Sequence, residues 1–257
     1  MLLAIDAGNT DIKFAVFDGK KSKAIWRIKT DAARTSDEYV VFLAKLFELS
    51  KLKFSDIKDC IVSSVVPDAN FQLRLMCHSA FKIRPSFLGK EIKKFDLKIR
   101  LDKPEEIGAD RIANAVSAKT YYQAPAIVVG FGTATTFDVI DKDGAYCGGA
   151  IAPGVNLSLN ALHMAAAKLP KVSISRPDLA IGTNTISAMQ SGIYWGYVSL
   201  ASGMIERLKA EIKGKPIVIA TGGLAPLFKG DIPLVDKTDE DLTLKGLLAI
   251  YMRYKQK

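Results

Sequence analysis

The 257-residue chain has little of what builds metal centres and disulfide frameworks: three cysteines and two histidines. Cys60, Cys77 and Cys147 are odd in number and show no CxxC spacing. That excludes a complete disulfide framework and a four-cysteine zinc site. His78 and His163 are too few for a histidine-rich metal centre and read as surface or packing residues. Such thiol usage fits a reducing compartment. No apolar run reaches the roughly 20 residues that a membrane-spanning helix needs. The opening Met-Leu-Leu-Ala-Ile-Asp lacks the basic stretch of a signal peptide. The expectation is a cytoplasmic protein with no membrane partner. No GxxxxGK[ST] occurs, so a P-loop is excluded.

Charge of one sign is in excess, with 36 Lys+Arg against 27 Asp+Glu and a net charge of +9. The lysines are scattered, however. The nearest clusters are Lys20, Lys21, Lys23 and Lys90, Lys93, Lys94, and neither is interleaved with aromatics. A nucleic-acid partner is not expected; diffuse positive charge attracts small anions instead. About half of the chain is apolar and a quarter charged, an ordinary globular composition sufficient for one or two domains.

Residues 2–5, 12–17 and 24–28 read as three strands, the first two separated by the polar turn Asp6–Thr10. Ser36-Asp37-Glu38 opens a helical pattern, 60–66 is a β-branched strand closed by Pro67, 69–80 is helical and 86–88 is a strand. The second half repeats the order. A helix over 109–122 leads to a strand at 126–129, the turn Gly132–Thr136, strands at 137–140 and 146–151, and helices over 155–167 and 185–212. A strand at 216–221 and a closing helix at 242–254 complete it. The reading is α/β, with a duplicated β-β-β-α-β-α-β unit divided at 1–115 and 116–257. Cys147 is expected to be buried. Trp26 and Trp195 are expected in a core or subunit contact, and Met189, Ile193 and Tyr197 are expected to join Trp195 on an apolar face of the long helix.

Three small-residue turns end strands. In Asp6-Ala7-Gly8-Asn9-Thr10, Gly8 permits close backbone approach, Asn9 and Thr10 offer donors, Lys13 adds a cation and Asp6 is suited to Mg²⁺. Gly132-Thr133-Ala134-Thr135-Thr136 has amides and hydroxyls for an anion. Gly222-Gly223 permits a flat base to lie on the backbone. Each alone is also an ordinary β-turn. Gly108-Ala109-Asp110-Arg111 starts a helix, where free amides and Arg111 suit an anion and Asp110 suits proton transfer from an alcohol; a helix cap with a local ion pair is the plainer alternative.

The set of turns resembles the superfamily of acetate and sugar kinases, heat-shock chaperone ATPases and actin, which hold ATP in a cleft between two duplicated ribonuclease H-like domains with mixed five-stranded sheets flanked by helices. Over nearly its whole length the chain resembles the type III pantothenate kinases. The resemblance rests on Asp6-x-Gly-Asn-Thr, Ser64–Pro67, Gly108–Ile112, Gly132–Asp138, Gly148–Gly154, Gly182–Thr185, Ala188–Gly192 and Ala220–Leu224. It implies ATP-dependent phosphorylation of pantothenate, the first step of coenzyme A synthesis, by a homodimer using Mg²⁺. It implies that Asp6, Ala7, Gly8, Asn9, Thr10, Asp11, Ile12, Lys13, Thr133, Gly222 and Gly223 bind ATP. Gly108, Ala109, Asp110, Arg111 and Thr185 bind pantothenate, Thr185 at the dimer interface, with Asp110 as general base.

Two positions depart from the family pattern. The family's strand before the second turn usually ends in an aspartate that holds K⁺ or NH₄⁺; here Gly130 stands there, with Asp138 as one possible substitute. An aromatic that touches pantothenate is replaced by Leu101. Two alternatives accompany these departures: another small-molecule kinase of the superfamily, or a nucleotide-binding regulatory protein impaired by Gly130.

Overall fold

The computed structural model describes residues 1–92, 95–165 and 169–255. The chain forms two compact units, one of Met1–Leu97, Glu105–Ser117 and Leu242–Lys257, the other of Lys98–Pro104 and Ala118–Asp241.

In the first unit, β1 (Leu2–Ala7) pairs antiparallel with β2 (Asp11–Asp18), which pairs antiparallel with β3 (Lys21–Lys29). On its other side β1 runs parallel to β4 (Asp59–Ser64), and β4 to β5 (Ser86–Phe87). The sheet is therefore mixed, in the order β3-β2-β1-β4-β5. Side-chain alternation decides its faces. Leu3, Ile5, Ala7, Ile12, Phe14 and Val16 share a core with Tyr39, Leu43, Phe47, Leu73 and Met76. Those last five come from α1 (Ser36–Leu49) and α2 (Pro67–Met76). Thr35 caps α1 reciprocally with Glu38, satisfying two amides that the helix start leaves open.

The opposite face of β1 and β4 is covered by α6 (Leu242–Lys255), which buries Leu242–Leu244 and Gly246–Ile250. Helix α6 also lies directly on α3 (Ala109–Tyr121): a Cβ at Gly246 would overlap the Ala113 carbonyl, and Thr243 Oγ1 donates to Asn114 Oδ1 at 2.8 Å. The single cut read from the sequence at 115/116 differs here. It assigned 242–257 to the second half, whereas α6 belongs to the compact body of the first. A terminal amphipathic helix carries no local signal of which sheet it covers.

The second unit repeats the pattern. β6 (Ala126–Phe131) pairs antiparallel with β7 (Ala134–Ile140), and β7 with β8 (Tyr146–Pro153). β6 also pairs parallel with β9 (Ile217–Thr221), and β9 with β10 (Lys237–Thr238). The order β10-β9-β6-β7-β8 reproduces that of the first sheet strand for strand, which bears out two mixed five-stranded sheets flanked by helices. The copies differ in their helices. Both α4 (Val155–Ala165) and α5 (Thr185–Glu211) precede β9, and only the helical turn Ala225–Phe228 separates β9 from β10. β10 lies in the polar stretch Asp236–Asp241 and so leaves no apolar pattern in the sequence. Residues 166 and 167 of the expected fourth helix, and Lys93 and Lys94 of the second lysine cluster, lie outside the described residues.

Two packing expectations change. Cys147 is exposed: Tyr146 before it is fully buried, and alternation along β8 turns Cys147 to the opposite face, where its thiol meets the Asp141 carboxylate at 3.4 Å. The α5 residues Met189 and Tyr197 are buried, and Ile193 and Trp195 pack against the core of their own unit with Tyr194 and Phe228. The apolar face of α5 is thus largely spent within one chain. Trp26 packs on Phe47 with ring centroids 5.1 Å apart. His78 is exposed, and His163 Nδ1 meets the Leu169 carbonyl at 2.7 Å, in keeping with plain packing roles. Among the described residues no helix is long and apolar enough to cross a membrane.

Candidate active site

The first turn is held by backbone and hydroxyl contacts. Gly8 N–H donates to the Asp11 carbonyl at 3.0 Å, and Val65 N–H to the Ala7 carbonyl at 3.0 Å. Thr30, just beyond β3, closes it from the other side: its Oγ1 donates to the Gly8 carbonyl at 2.6 Å and its amide to the Thr10 carbonyl at 2.8 Å. Asn9 and Thr10 are exposed at the tip. Ala7 and Ile12 are buried among the α1/α2 core residues, so these two, like Gly8, offer backbone alone.

Strand register places four polar residues in one rung on the sheet face opposite that core. Ser63, Asp6, Lys13 and Arg27 are successive direct partners on β4, β1, β2 and β3. The Asp6 carboxyl is pushed up to about 7. Burial is the main cause and the negative charge of Asp110 the second, while Lys13 and the Ser63 hydroxyl pull the other way.

Asp110 stands in the first turn of α3. Its Oδ1 accepts the Arg111 amide at 2.9 Å. The carboxylate folds back over Gly108, where an added Cβ would lie 2.6 Å from Oδ1; glycine there leaves room for the carboxylate. Burial raises the Asp110 carboxyl above its ordinary range, and the Arg111 amide and guanidinium hold that rise down. The structure therefore brings the Asp6–Lys13 turn and the Gly108–Arg111 segment together in one unit, within electrostatic reach of each other.

The second turn belongs to the other unit. Gly132 N–H donates to the Ala134 carbonyl at 3.1 Å, and Thr133 is exposed. Two glycines press on this turn from neighbouring segments. A Cβ at Gly154 would overlap the Gly132 and Thr133 carbonyls, and one at Gly222, with φ +95°, would overlap the Phe131 backbone. Gly222 is thus a packing residue, while the space over Gly223 is open.

At Gly130 a Cβ would lie 2.6 Å from Thr136 Oγ1, its cross-strand partner. The suggested substitute, Asp138, is fully buried and its Oδ1 accepts the Tyr146 hydroxyl at 2.8 Å. Leu101 lies in the second unit, with its Cδ2 3.3 Å from where a Gly148 Cβ would be.

Thr185 opens α5 behind its cap, Asn184, whose Oδ1 accepts the Ser187 amide at 2.9 Å. It is exposed and lines a separate concavity with Leu162, Leu169, Ala188, Met189 and Ile193.

Thr30 and Ser63 are site residues that motif reading passed over. Each is defined by strand pairing with the first turn, 20 to 60 residues distant in sequence, and only the register makes the connection visible.

A family model described as type III pantothenate kinase matches residues 2–207. A type III pantothenate kinase of Paramagnetospirillum magneticum is 54% identical over 253 residues, covering 98% of this chain and 97% of that protein. Among solved structures, a conserved Baf family protein from Campylobacter jejuni matches with a TM-score of 0.64 at 17% identity, over 99% of this chain and 100% of that one. Component A of (R)-2-hydroxyglutaryl-CoA dehydratase from Acidaminococcus fermentans matches with a TM-score of 0.57 at 15% identity, over 99% and 98%. The structural likenesses carry the fold alone, two mixed five-stranded sheets flanked by helices. The sequence likeness runs through both turns and the Gly108–Arg111 segment, and it shows that the chain belongs to the type III pantothenate kinase family.

Proposed function

We propose that the chain transfers the γ-phosphoryl group of ATP to the primary alcohol of pantothenate, giving 4′-phosphopantothenate and ADP, with Asp110 as general base. The observation that carries this reading is the half-buried pair Asp6 and Asp110, within electrostatic reach of each other in one unit, each carboxyl raised by its surroundings. Asp110 takes the proton of the alcohol as its oxygen bonds to the γ-phosphorus and the bond to the β–γ bridging oxygen breaks. A base with its pKa lifted toward neutrality is better matched to that proton than an ordinary carboxylate. Arg111 and the amides at the start of α3 suit the anionic end of pantothenate. Lys13 and the first turn, and Thr133 of the second, supply donors to the phosphates, since phosphoryl transfer asks mainly for alignment and charge neutralisation. Open space over Gly223 suits the adenine.

Mg²⁺ fits the donor set. Among the described residues no three His, Cys, Asp or Glu gather into a metal cage, and Mg²⁺ typically uses one or two carboxylates together with substrate phosphates. Asp6, whose charge Lys13 only partly offsets, is the residue that would hold it, and the ion would neutralise phosphate charge there. The monovalent cation does not fit. Gly130 has no carboxylate, Thr136 Oγ1 fills the space beside it, and one oxygen of Asp138 is engaged by Tyr146. We assign the enzyme no K⁺ or NH₄⁺ requirement. A cytoplasmic location goes with the reading, supported by three unpaired thiols. A homodimer goes with it too, supported by the apolar concavity that Thr185 lines.

The test is a coupled ADP-release assay with pantothenate on the parent and on Asp110→Asn. The isosteric change removes the base and leaves the packing, so kcat is expected to fall roughly 10²–10⁴-fold. The base assignment fails if Asp110→Asn turns over like the parent. The substrate assignment fails if other alcohols release ADP and pantothenate does not.

A further inference from the structure

We infer that Arg27 is a phosphate-binding residue of this kinase, paired with Lys13 across the first sheet. The inference rests on the kinase reading and concerns a strand that no motif in the chain pointed to. Trp26 and Ile28 pack against the α1/α2 core. Alternation then turns Arg27 to the opposite face of β3, the face that carries Asp6 and Lys13. Register makes this specific: Asp6 pairs directly with Lys13, and Lys13 with Arg27. Arg27 thus stands two strand spacings, roughly 10 Å, from Asp6, in line with it. Thr30, three residues on, clamps the end of β3 to the first turn through the Gly8 and Thr10 carbonyls, so the rung sits immediately beside that turn.

The charge balance of the rung points to an anionic ligand. Lys13 stands directly opposite the Asp6 carboxylate in the strand register, so part of its charge is spent within the protein. Arg27 is exposed and has no ion pair among the described residues. A guanidinium held on a rigid strand offers a fork matched to phosphate oxygens. The competing role for a basic residue on an edge strand is to block pairing with another chain. Lys21, Lys23 and Lys29 serve that purpose equally well from the same strand. What sets Arg27 apart from them is its place opposite Lys13.

The experiment compares the parent with Arg27→Met, which keeps an apolar stem, and Arg27→Lys, which keeps the charge. Binding of ATP is read by calorimetric titration, and the KM values for ATP and pantothenate by ADP release. Losing a charge-assisted contact is expected to weaken ATP and raise its KM roughly ten- to a hundredfold, with the KM for pantothenate unchanged and part of the loss recovered in Arg27→Lys. An edge-blocking role would change solubility or the unfolding temperature and leave the KM for ATP in place, and that result overturns the inference. So does a rise confined to the KM for pantothenate. If the parent binds ATP but does not phosphorylate pantothenate, the substrate reading fails separately, and the titrations still decide Arg27. Should Arg27→Met not fold, Arg27→Gln replaces it with the same two criteria.

Discussion

Loss of solvent around its carboxyl and the nearby negative charge of Asp110 make Asp6 a residue that works against the stability of its own fold. Its pKa rises from 3.8 to about 7 on folding, so between those values the folded chain binds the proton that the unfolded chain has released. Stability therefore falls as pH rises from about 4 to 7 and stays reduced above that. Asp6→Asn removes the charge, and the variant is expected to be more stable than the parent at pH 8, by about 2–4 kcal/mol, and no more stable near pH 4. Thermal unfolding at the two pH values measures this; equal gains at both would mean that charge burial is not the cause. Turnover should be lost in the same variant. Gly130 poses the converse case, a charge the family expects and this chain lacks. The parent is expected to turn over at the same rate in Na⁺, K⁺ and NH₄⁺. Gly130→Asp, for which only the Thr136 hydroxyl must turn aside, is expected to create K⁺ stimulation. Strong K⁺ dependence in the parent would refute the reading of Gly130.

At the scale of elements, the proposed base depends on a helix held by a helix. Asp110 is fixed by the first turn of α3, and α6 presses on that turn's continuation at Ala113 and Asn114. Gly246 has to be glycine because the Ala113 carbonyl fills the place of a Cβ. Gly246→Ala should push α6 off α3 and destabilise the chain by about 1–3 kcal/mol, the usual range for overpacking, with a matching drop in denaturation midpoint. A substitution without effect would show that the two helices do not need to touch.

This contact also marks where sequence reading ended. The strands were legible because apolar alternation and turn residues are local, and both copies of the five-stranded sheet follow from them except β10, which lies in a polar stretch. Asp6, Asp110 and Arg111 were singled out through the run of motifs together, since each alone also reads as an ordinary turn or cap; what the structure adds is that Asp6 and Asp110 act on each other electrostatically. The placement of α6, the outward turn of Cys147 and the inward turn of Met189 and Tyr197 were not legible. Each depends on which surface a distant segment covers. Thr30, Ser63 and Arg27 are of the same kind: register joins them to the site, and no spacing in the chain announces register.

At the scale of the whole molecule, the proposed dimer is testable because symmetry multiplies a small change. Much of the α5 face is used within the chain, yet Leu157 and Leu162 of α4 and Ile186 in the first turn of α5 remain 52%, 38% and 49% exposed. Leu162 lines, with Thr185 and Ala188, a concavity of about 440 Å³, and Ile186 follows Thr185 in the first turn of α5. A stable pairing needs roughly 800 Å² from each partner with an apolar centre, and this is the surface to supply it. In a two-fold interface every substitution occurs twice, so Ile186→Glu would set two carboxylates into an apolar contact, where an unpaired charge is strongly unfavourable. The parent is expected to sediment at twice its 27.9 kDa chain mass and Ile186→Glu at close to the chain mass. Because Ile186 is exposed within one chain, the variant should keep the unfolding behaviour of a folded protein. If Thr185 acts from the interface, turnover should fall with the loss of dimer and return as protein concentration drives association. A parent that sediments as a monomer at assay concentration with full turnover would remove both the dimer and the role of Thr185.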